Sequence, residues 1–247
     1  MNRRKFLQWL GKKALIVGAT ASGLSAISCS PSEKPSNFDE GRIDPKVQEY
    51  TTQYFKNIMR PLEENIGLQH LGMPNLELKG CGYRGDREFY NPNTDTLTIY
   101  VPRYYVHFSQ STTEELIRHG LGHFYADKLS ESLGNGSWPP RTEDTLDEIR
   151  DRLLTEGIAE YFRRKSSRDE KDTFEDSQWP KTLEEFSGIK NWDHNFFYNG
   201  GYHLVKPLID ERGQKGIEYL ITHPPGKRNL DDLQRYQREA LISLDRY

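Results

Sequence analysis

The sequence has little cysteine: Cys29 and Cys81 are the only two in 247 residues. Cys29 lies outside the predicted folded domain, so Cys81 has no second cysteine in that domain with which to form an internal disulfide. Its stability must therefore come from a packed core. Cys81 lies between two glycines without an acid or histidine pattern around it, which favours a small buried side chain over a nucleophile.

The chain also lacks an excess of positive charge and a long apolar run. Its formal net charge is −3, which becomes more negative if the basic N-terminal residues are removed. Nucleic-acid-binding proteins usually present a basic face to the phosphates, so this balance argues against nucleic acid as a partner. The apolar, small-residue stretch at residues 14–28 is shorter than the roughly 20 residues of a membrane-spanning helix.

Hydrophobic residues make up 34% of the chain and charged residues 29%, a balance that does not indicate a disordered protein. The length suits one domain, which we place at residues 44–247. We find no internal repeat. Residues 30–43 are rich in serine, proline and charge, and we expect a flexible tether there.

The N-terminus has the pattern of an export signal. Asn2-Arg3-Arg4-Lys5-Phe6-Leu7 resembles a twin-arginine signal, and Ala26-Ile27-Ser28-Cys29 resembles a bacterial lipoprotein cleavage site. The resemblance implies that residues 1–28 are a removed signal peptide and that residues 29–43 are an acylated Cys29 and its tether. More than one acyl chain gives stable membrane anchoring. We therefore expect an exported bacterial lipoprotein, in the periplasm or at the cell surface. An uncleaved anchor helix, the alternative, would leave the domain in the same place.

Residues 119–123 read His-Gly-Leu-Gly-His. Positions i and i+4 of a helix lie on one face, so His119 and His123 can both direct an imidazole nitrogen at a cation roughly 2.0 to 2.1 Å away. The pattern is the zinc-binding HExxH motif with glycine at the position of its glutamate. That glutamate activates the metal-bound water, and Gly120 has no side chain with which to do so.

A third candidate ligand lies downstream in Leu153-Leu154-Thr155-Glu156-Gly157-Ile158-Ala159-Glu160. Two histidines and Glu156 would leave the fourth position of a zinc ion open, as in catalytic sites. Packed or solvated histidines without a metal are the alternative interpretation of the pair.

These residues resemble the gluzincin group of zinc metallopeptidases, in which an HExxH helix is followed by a helix with a glutamate ligand. The resemblance covers roughly residues 95–165 and implies a helix-rich, zincin-like α+β fold. It also implies that His119, His123 and Glu156 bind zinc. Glu160 matches the acid that accepts the N–H of a ligating imidazole, although gluzincins usually have aspartate there. A solvated helix residue is the alternative for Glu160.

Capping residues and apolar spacing predict most of the helices. Asp44-Pro45 predicts the start of an amphipathic helix that Pro61 should bend or split. Thr112-x-x-Glu115 has the capping-box pattern and predicts the metal helix from near Thr112 to about Leu133. The partner helix is predicted from about Thr142 to Lys165, with acids first and bases last. Further helices are predicted near Leu183 and over residues 199–212, 214–222 and 229–245.

Two strands are predicted, at residues 75–79 and at the β-branched and aromatic segment 96–101. Gluzincin-like folds place an edge strand beside the metal helix, where an extended peptide can pair with it. The second strand is the candidate for that role. A sheet edge without a ligand is the alternative.

Loss of a general base typically costs ~10²- to 10⁴-fold in rate. Glu115, one i, i+4 step before His119, is a candidate substitute base, and helix capping is the alternative. Tyr198, Tyr202 and His203 follow the glutamate ligand, where related enzymes have an oxyanion donor, but they could equally be structural aromatics.

The leading hypothesis is a degenerate metallopeptidase that binds zinc, and a peptide or cell-envelope polymer, with weak or absent hydrolysis. The alternatives are an active zinc hydrolase with an unusual base and a metal-free structural lipoprotein.

Overall fold

The computed structural model describes residues 42–81, 87–139, 144–165, 171–190 and 193–245. The predicted signal peptide, Cys29 and the tether up to residue 41 lie outside them. The described part is rich in helix and has one small mixed sheet, which confirms the predicted α+β class. The helices are α1 (Pro45–Ile66), α2 (Gln110–Ser132), α3 (Thr145–Arg164), α4 (Leu183–Ser187), α5 (Gly201–Arg212), α6 (Gln214–Thr222) and α7 (Leu233–Leu244). The strands are β1 (Asn75–Cys81), β2 (Arg87–Asn91) and β3 (Thr96–Pro102).

Helix α1 begins where the sequence predicts. The Asp44 carboxylate accepts a hydrogen bond of 2.8 Å from the backbone N–H of Lys46, and Pro45 is the first helical residue. Of the two effects predicted for Pro61, a bend or a split, the split does not occur, because α1 is continuous through this residue. Pro61 is exposed, so water can reach the carbonyl that its ring leaves without a donor, while Met59 and Leu62 on either side are buried.

The sheet has the strand order β1-β3-β2, with β1 parallel and β2 antiparallel to β3. Strand β3 is therefore central, and the expectation that residues 96–101 form an edge strand is wrong. The strand beside it, β2, was not predicted. Its alternation is the reverse of an amphipathic strand, since Glu88 is only 8% exposed whereas Phe89 is 42% exposed.

Helix α2 begins one turn earlier than the sequence predicts. The Ser109 hydroxyl accepts a hydrogen bond from the backbone N–H of Thr112, so Ser109 is the N-cap and the Thr112–Glu115 capping box is not formed. Helix α3 is capped by Asp144 and has the predicted charge order, with acids in its first turn and Arg163 and Arg164 in its last.

Small residues allow these helices to approach closely. A β-carbon added at Gly122 of α2 would lie 2.6 Å from Ala159 Cα of α3. One added at Gly157 of α3 would lie 2.5 Å from the carbonyl oxygen of Gly201, at the start of α5. Backbone contact on both faces of α3 thus fixes the position of Glu156 between α2 and α5.

The remaining elements agree with the sequence. Helices α4 to α7 lie at the predicted segments, and a π-helical turn, Asn195–Gly200, leads into α5. Cys81 is buried, as expected. None of the helices in the described ranges is long and apolar enough to cross a membrane.

Candidate metal centre

His119 and His123 project from the same face of α2, as their spacing predicts. The centroids of the two imidazole rings are 4.9 Å apart and the rings are nearly perpendicular, at 83°. The His119 side chain is 3% exposed and that of His123 is 14% exposed. The pair is therefore part of the interior and not a solvated stripe.

Glu156 of α3 reaches both histidines. Its Oε2 lies 3.6 Å from His119 Nε2 and 3.8 Å from His123 Nε2. Two donors that share a tetrahedral zinc ion at roughly 2.0 to 2.1 Å are about 3.4 Å apart. The structure thus places the Glu156 carboxylate at separations of this size from each of the two histidines.

Glu88 of β2 also enters the site, and the sequence interpretation missed it. Its Oε1 lies 2.7 Å from His119 Nδ1, within hydrogen-bond distance. Glu88, His119 and His123 each offer a donor atom, and these atoms lie within 4.8 Å of one another, so this group could hold a metal ion. Glu88 is 31 residues from His119 along the chain. The signal that could have identified Glu88 is the alternation along β2, and this strand was not predicted from the sequence.

Glu160 is completely buried one turn beyond Glu156. Its Oε1 accepts a hydrogen bond of 2.6 Å from Arg164 Nε and another from Arg163. Its Oε2 lies 4.0 Å from His119 Nε2. The carboxylate that is hydrogen-bonded to the His119 ring is thus Glu88 and not Glu160, the residue predicted from the sequence. Glu160 lies on the opposite side of the ring and is held by two arginines.

Three buried polar atoms here have no hydrogen-bond partner in the structure: His119 Nε2, Glu156 Oε2 and Glu160 Oε2. Each such atom costs free energy unless something replaces its lost hydration. His119 Nε2 lies 3.6 Å from Glu156 Oε2 and 4.0 Å from Glu160 Oε2. A cation bound by His119 Nε2 and Glu156 Oε2 would satisfy two of these atoms.

Burial and charge act differently on the two imidazoles. Burial lowers the pKa of His119, but Glu88 and then Glu156 and Glu160 outweigh this effect and raise it above the usual value. Burial, reinforced by the nearby charge of His119, lowers the pKa of His123 to about 3. His123 is therefore neutral at physiological pH, the state in which an imidazole can bind a metal.

The pKa values of the two glutamates beside the histidines shift in opposite directions. Burial raises the pKa of Glu156, and the charges of His119 and Arg152 only partly offset it. For Glu88, burial also favours the neutral form, but the charge and hydrogen bond of His119 prevail and lower its pKa.

Tyr198 covers the site from the π-helical turn. Its ring stacks on His119 with the centroids 5.6 Å apart and the planes 10° apart, and its side chain is hydrogen-bonded to Glu156. Of the three aromatic residues suggested by the sequence, Tyr198 is the one that contacts the predicted ligands.

Tyr202 and His203 make different contacts. Tyr202 is buried with its ring 4.4 Å from the Arg164 guanidinium and 6.3 Å from the Tyr161 ring. The ring nitrogens of His203 lie 2.7 Å from Asp172 and 2.9 Å from Asp176, respectively. Tyr202 thus packs against α3, and the His203 ring lies between two aspartates of the segment that precedes α4.

Gly120, at the position where the HExxH motif has glutamate, faces the sheet. A β-carbon added there would overlap the Cδ1 atom of Leu97 on β3. Glu115, the suggested substitute base, is 39% exposed, and its carboxylate lies 3.9 Å from Arg163.

Solvent access to the site is narrow. Glu88, His119 and Glu156 are each less than a tenth exposed, and His123 has the most exposed side chain of the group. A large surface groove, about 800 Å³, lies instead between α1 and β1 and is lined by neither histidine nor by Glu88 or Glu156.

Comparisons of the chain with protein-family models, with curated proteins and with solved structures find no match. The resemblance to gluzincins therefore rests on the motif residues, and the chemistry of the site has to be inferred from its own geometry.

Proposed function

We propose that this protein is a zincin-like metal-binding protein whose ion is held by His119 Nε2, His123 Nε2 and Glu156 Oε2, with little or no peptide hydrolysis. The supporting observation is the convergence of buried donor atoms at 3.6 and 3.8 Å, two of which have no hydrogen-bond partner. Two imidazoles and a carboxylate are a donor set that zinc prefers.

The charges of the site also fit a divalent cation. Glu160 is compensated by the buried side chain of Arg164. Glu88 and Glu156 are buried beside the two histidines. Buried carboxylates are costly unless they are paired, and one divalent ion would offset both.

Weak or absent hydrolysis is inferred from what surrounds the ion site. A bound zinc would polarise a carbonyl and lower the pKa of its water, but the position of the usual base is glycine, and Leu97 fills the adjacent space. General-base assistance is worth ~10²- to 10⁴-fold. Burial of the donors further limits the access of a peptide chain.

The experiment is metal analysis of the protein produced through its native export route. We expect about one zinc per chain by elemental mass spectrometry, and loss of the zinc in His119→Ala, His123→Ala and Glu156→Gln. His203→Ala is the matched control, because its ring binds Asp172 and Asp176. A wild-type stoichiometry near zero would support the metal-free structural lipoprotein and refute the proposal.

A peptidase assay of the zinc-loaded wild type separates this proposal from an active hydrolase with an unusual base. We expect no more zinc-dependent cleavage than in His123→Ala. Turnover comparable with that of metallopeptidases, lost in His123→Ala, would contradict the non-hydrolytic part alone.

We also propose that the domain is exported and held at the membrane by lipid on Cys29, where the site would face a peptide or a cell-envelope polymer. Arg3-Arg4 and the Ser28-Cys29 junction support this proposal. Mass spectrometry of the mature N-terminus tests it: we expect an acylated Cys29 in the wild type and none in Cys29→Ser. A mature chain that retains residues 1–28 would contradict cleavage.

A further inference from the structure

We propose that Glu88 is a positioning residue for the metal: it holds the His119 ring through Nδ1 so that Nε2 is presented to the ion, and it is not itself a ligand. This inference rests on the proposed function above. It places the carboxylate that orients the His119 ring on β2, whereas the sequence predicts this carboxylate on helix α3, at Glu160.

Distances distinguish a metal ligand from a residue that orients the His119 ring, the two roles that Glu88 could have. Glu88 Oε1 and His119 Nδ1 are 2.7 Å apart, which is hydrogen-bond length and too short for an ion to lie between them. Donors around a tetrahedral zinc are about 3.4 Å apart. The separations on the opposite side of the ring, 3.6 and 3.8 Å, are of that size.

Occupation of Nδ1 by an acceptor also fixes the state of the ring. When the ring is neutral and its Nδ1 proton is donated to Glu88, the lone pair that can bind a metal lies on Nε2, which faces Glu156. His119 Nε2 has no hydrogen-bond partner in the structure, although it is buried. The stacked Tyr198 ring holds the same imidazole plane from one side.

Strand β2 directs the Glu88 carboxylate into the protein interior, which is energetically unfavourable. Glu88 pairs with Ile99 of β3, and its side chain is buried while the neighbouring Phe89 is 42% exposed. Water would favour the opposite arrangement, because burying a carboxylate is unfavourable and burying a phenyl ring is favourable. The contact with His119 is what compensates the inward glutamate.

The other acid that could orient an imidazole is already engaged. Glu160 Oε1 accepts hydrogen bonds from Arg163 and Arg164, and its Oε2 lies on the Nε2 side of His119, where the ion would be. Carboxylates that accept the N–H of a ligating histidine typically contribute 10- to 100-fold in metal affinity. Glu88 is the residue from which we expect this contribution.

The experiment compares Glu88→Gln, Glu88→Ala and the control Glu77→Gln in the full chain. Glu77 is a strand glutamate on β1 that accepts a hydrogen bond from Thr98, so its change tests loss of a sheet carboxylate away from the site. Zinc affinity is measured by competition with a chromophoric chelator. The visible spectrum of the cobalt(II)-substituted protein reports the ligands themselves, and circular dichroism verifies folding.

We expect Glu88→Ala to bind zinc about 10- to 100-fold more weakly than the wild type, Glu88→Gln to be intermediate, and Glu77→Gln to be unchanged. The cobalt bands of Glu88→Gln should keep the wild-type positions and intensity, since the three ligands remain. The glutamine variant preserves the shape of the side chain and so keeps the test valid if Glu88→Ala does not fold.

Two results would overturn the inference while leaving the proposed function intact. One is wild-type zinc affinity in both Glu88 variants when His119→Ala binds no zinc. The other is a cobalt spectrum in Glu88→Gln with a changed coordination number, which would make Glu88 a ligand. A wild type that binds neither zinc nor cobalt would instead refute the proposed function, and the inference with it.

Discussion

Leu97 of β3 packs directly against Gly120 of α2, in the space that a side chain at residue 120 would need. A β-carbon at Gly120 would overlap Leu97 Cδ1 and lie 3.1 Å from Cδ2. Leu97 is completely buried. The glycine and the leucine are therefore complementary, and the packing between helix and sheet depends on the absence of a side chain at residue 120.

A glutamate placed at residue 120 should accordingly destabilise the protein without creating a peptidase. We expect Gly120→Glu to lower the free energy of unfolding by about 1–3 kcal/mol or more, because the new side chain must displace Leu97 and bury a carboxylate. We expect no gain in peptidase activity. Urea unfolding and a peptide-cleavage assay on the zinc-loaded variant measure the two effects.

The double variant Gly120→Glu with Leu97→Ala tests the complementarity directly. Leu97→Ala alone should cost about 2–5 kcal/mol as a cavity mutation. If the two residues compete for one space, the double variant will be more stable than the sum of the single changes predicts. Simple additivity would show that the overlap with Leu97 is not the cause.

The contact between α3 and α5 gives a second prediction. Gly157→Ala would place a methyl group 2.5 Å from a backbone oxygen of Gly201, which cannot rotate away. We expect a loss of about 1–3 kcal/mol despite the better helix propensity of alanine. Zinc affinity should also fall, because the turn carrying Tyr198 must move with α5. Thermal unfolding and chelator competition measure these changes.

Gly188→Ala is the matched control for that variant. Its added β-carbon would meet backbone oxygens at 3.4 Å, an ordinary contact. It should leave both stability and zinc affinity nearly unchanged. Equal losses in the two variants would argue against a specific backbone contact at Gly157.

Glu160 and its arginines give a third prediction. Arg164 is 9% exposed, whereas Arg163, which binds the same carboxylate oxygen, is 37% exposed. Breaking a buried ion pair typically costs 3–5 kcal/mol, but an exposed pair contributes about 0–1 kcal/mol. Arg164→Met should therefore destabilise the protein far more than Arg163→Met in chemical unfolding. Adding Glu160→Gln to Arg164→Met should recover part of the loss, and a result without recovery would contradict the pairing.

A fourth prediction concerns pH. Burial acts to raise the pKa of Asp210, but hydrogen bonds from Lys165, Lys206 and Tyr161 prevail and lower it to about 2. Its contribution to stability is then complete above its ordinary pKa of 3.8 and is lost as the pH falls through about 2. The side chain is partly exposed, so we expect Asp210→Asn to cost only about 1 kcal/mol at neutral pH.

Urea unfolding of the wild type and Asp210→Asn between pH 2 and pH 7 tests this assignment. The difference between the two proteins should be constant at the upper end of the range and shrink toward its lower end. A difference that grows on acidification would have the wrong sign and would refute the assignment.

Local signals made the helices of this chain predictable. Asp44 caps α1 and the charges of α3 follow the macrodipole as the sequence indicates, and the i, i+4 spacing places His119 and His123 on one face. Helix α1 is not split at Pro61, where the neighbouring Met59 is buried, and α2 starts at the Ser109 cap and not at Thr112, so in both places a competing interaction outweighs a local rule. Helix ends are sensitive to such competition.

The parts of the site that come from the sheet were not predictable in the same way. Glu88 and Leu97 reach α2 through contacts between segments far apart in the sequence, and β2 buries a glutamate where a strand pattern expects an apolar residue. The position of β3 at the centre of the sheet likewise depends on a strand that the pattern conceals.

The spacing between α2, α3 and α5 is set by main-chain atoms and not by flexible side chains. Gly122 closely approaches Ala159, and Gly157 closely approaches Gly201. Backbone held in this way cannot widen or narrow without moving whole helices. If the proposed site binds an ion, its selectivity for ionic radius and coordination geometry would then depend on Gly122 and Gly157, which are not ligands, as well as on the donor atoms themselves.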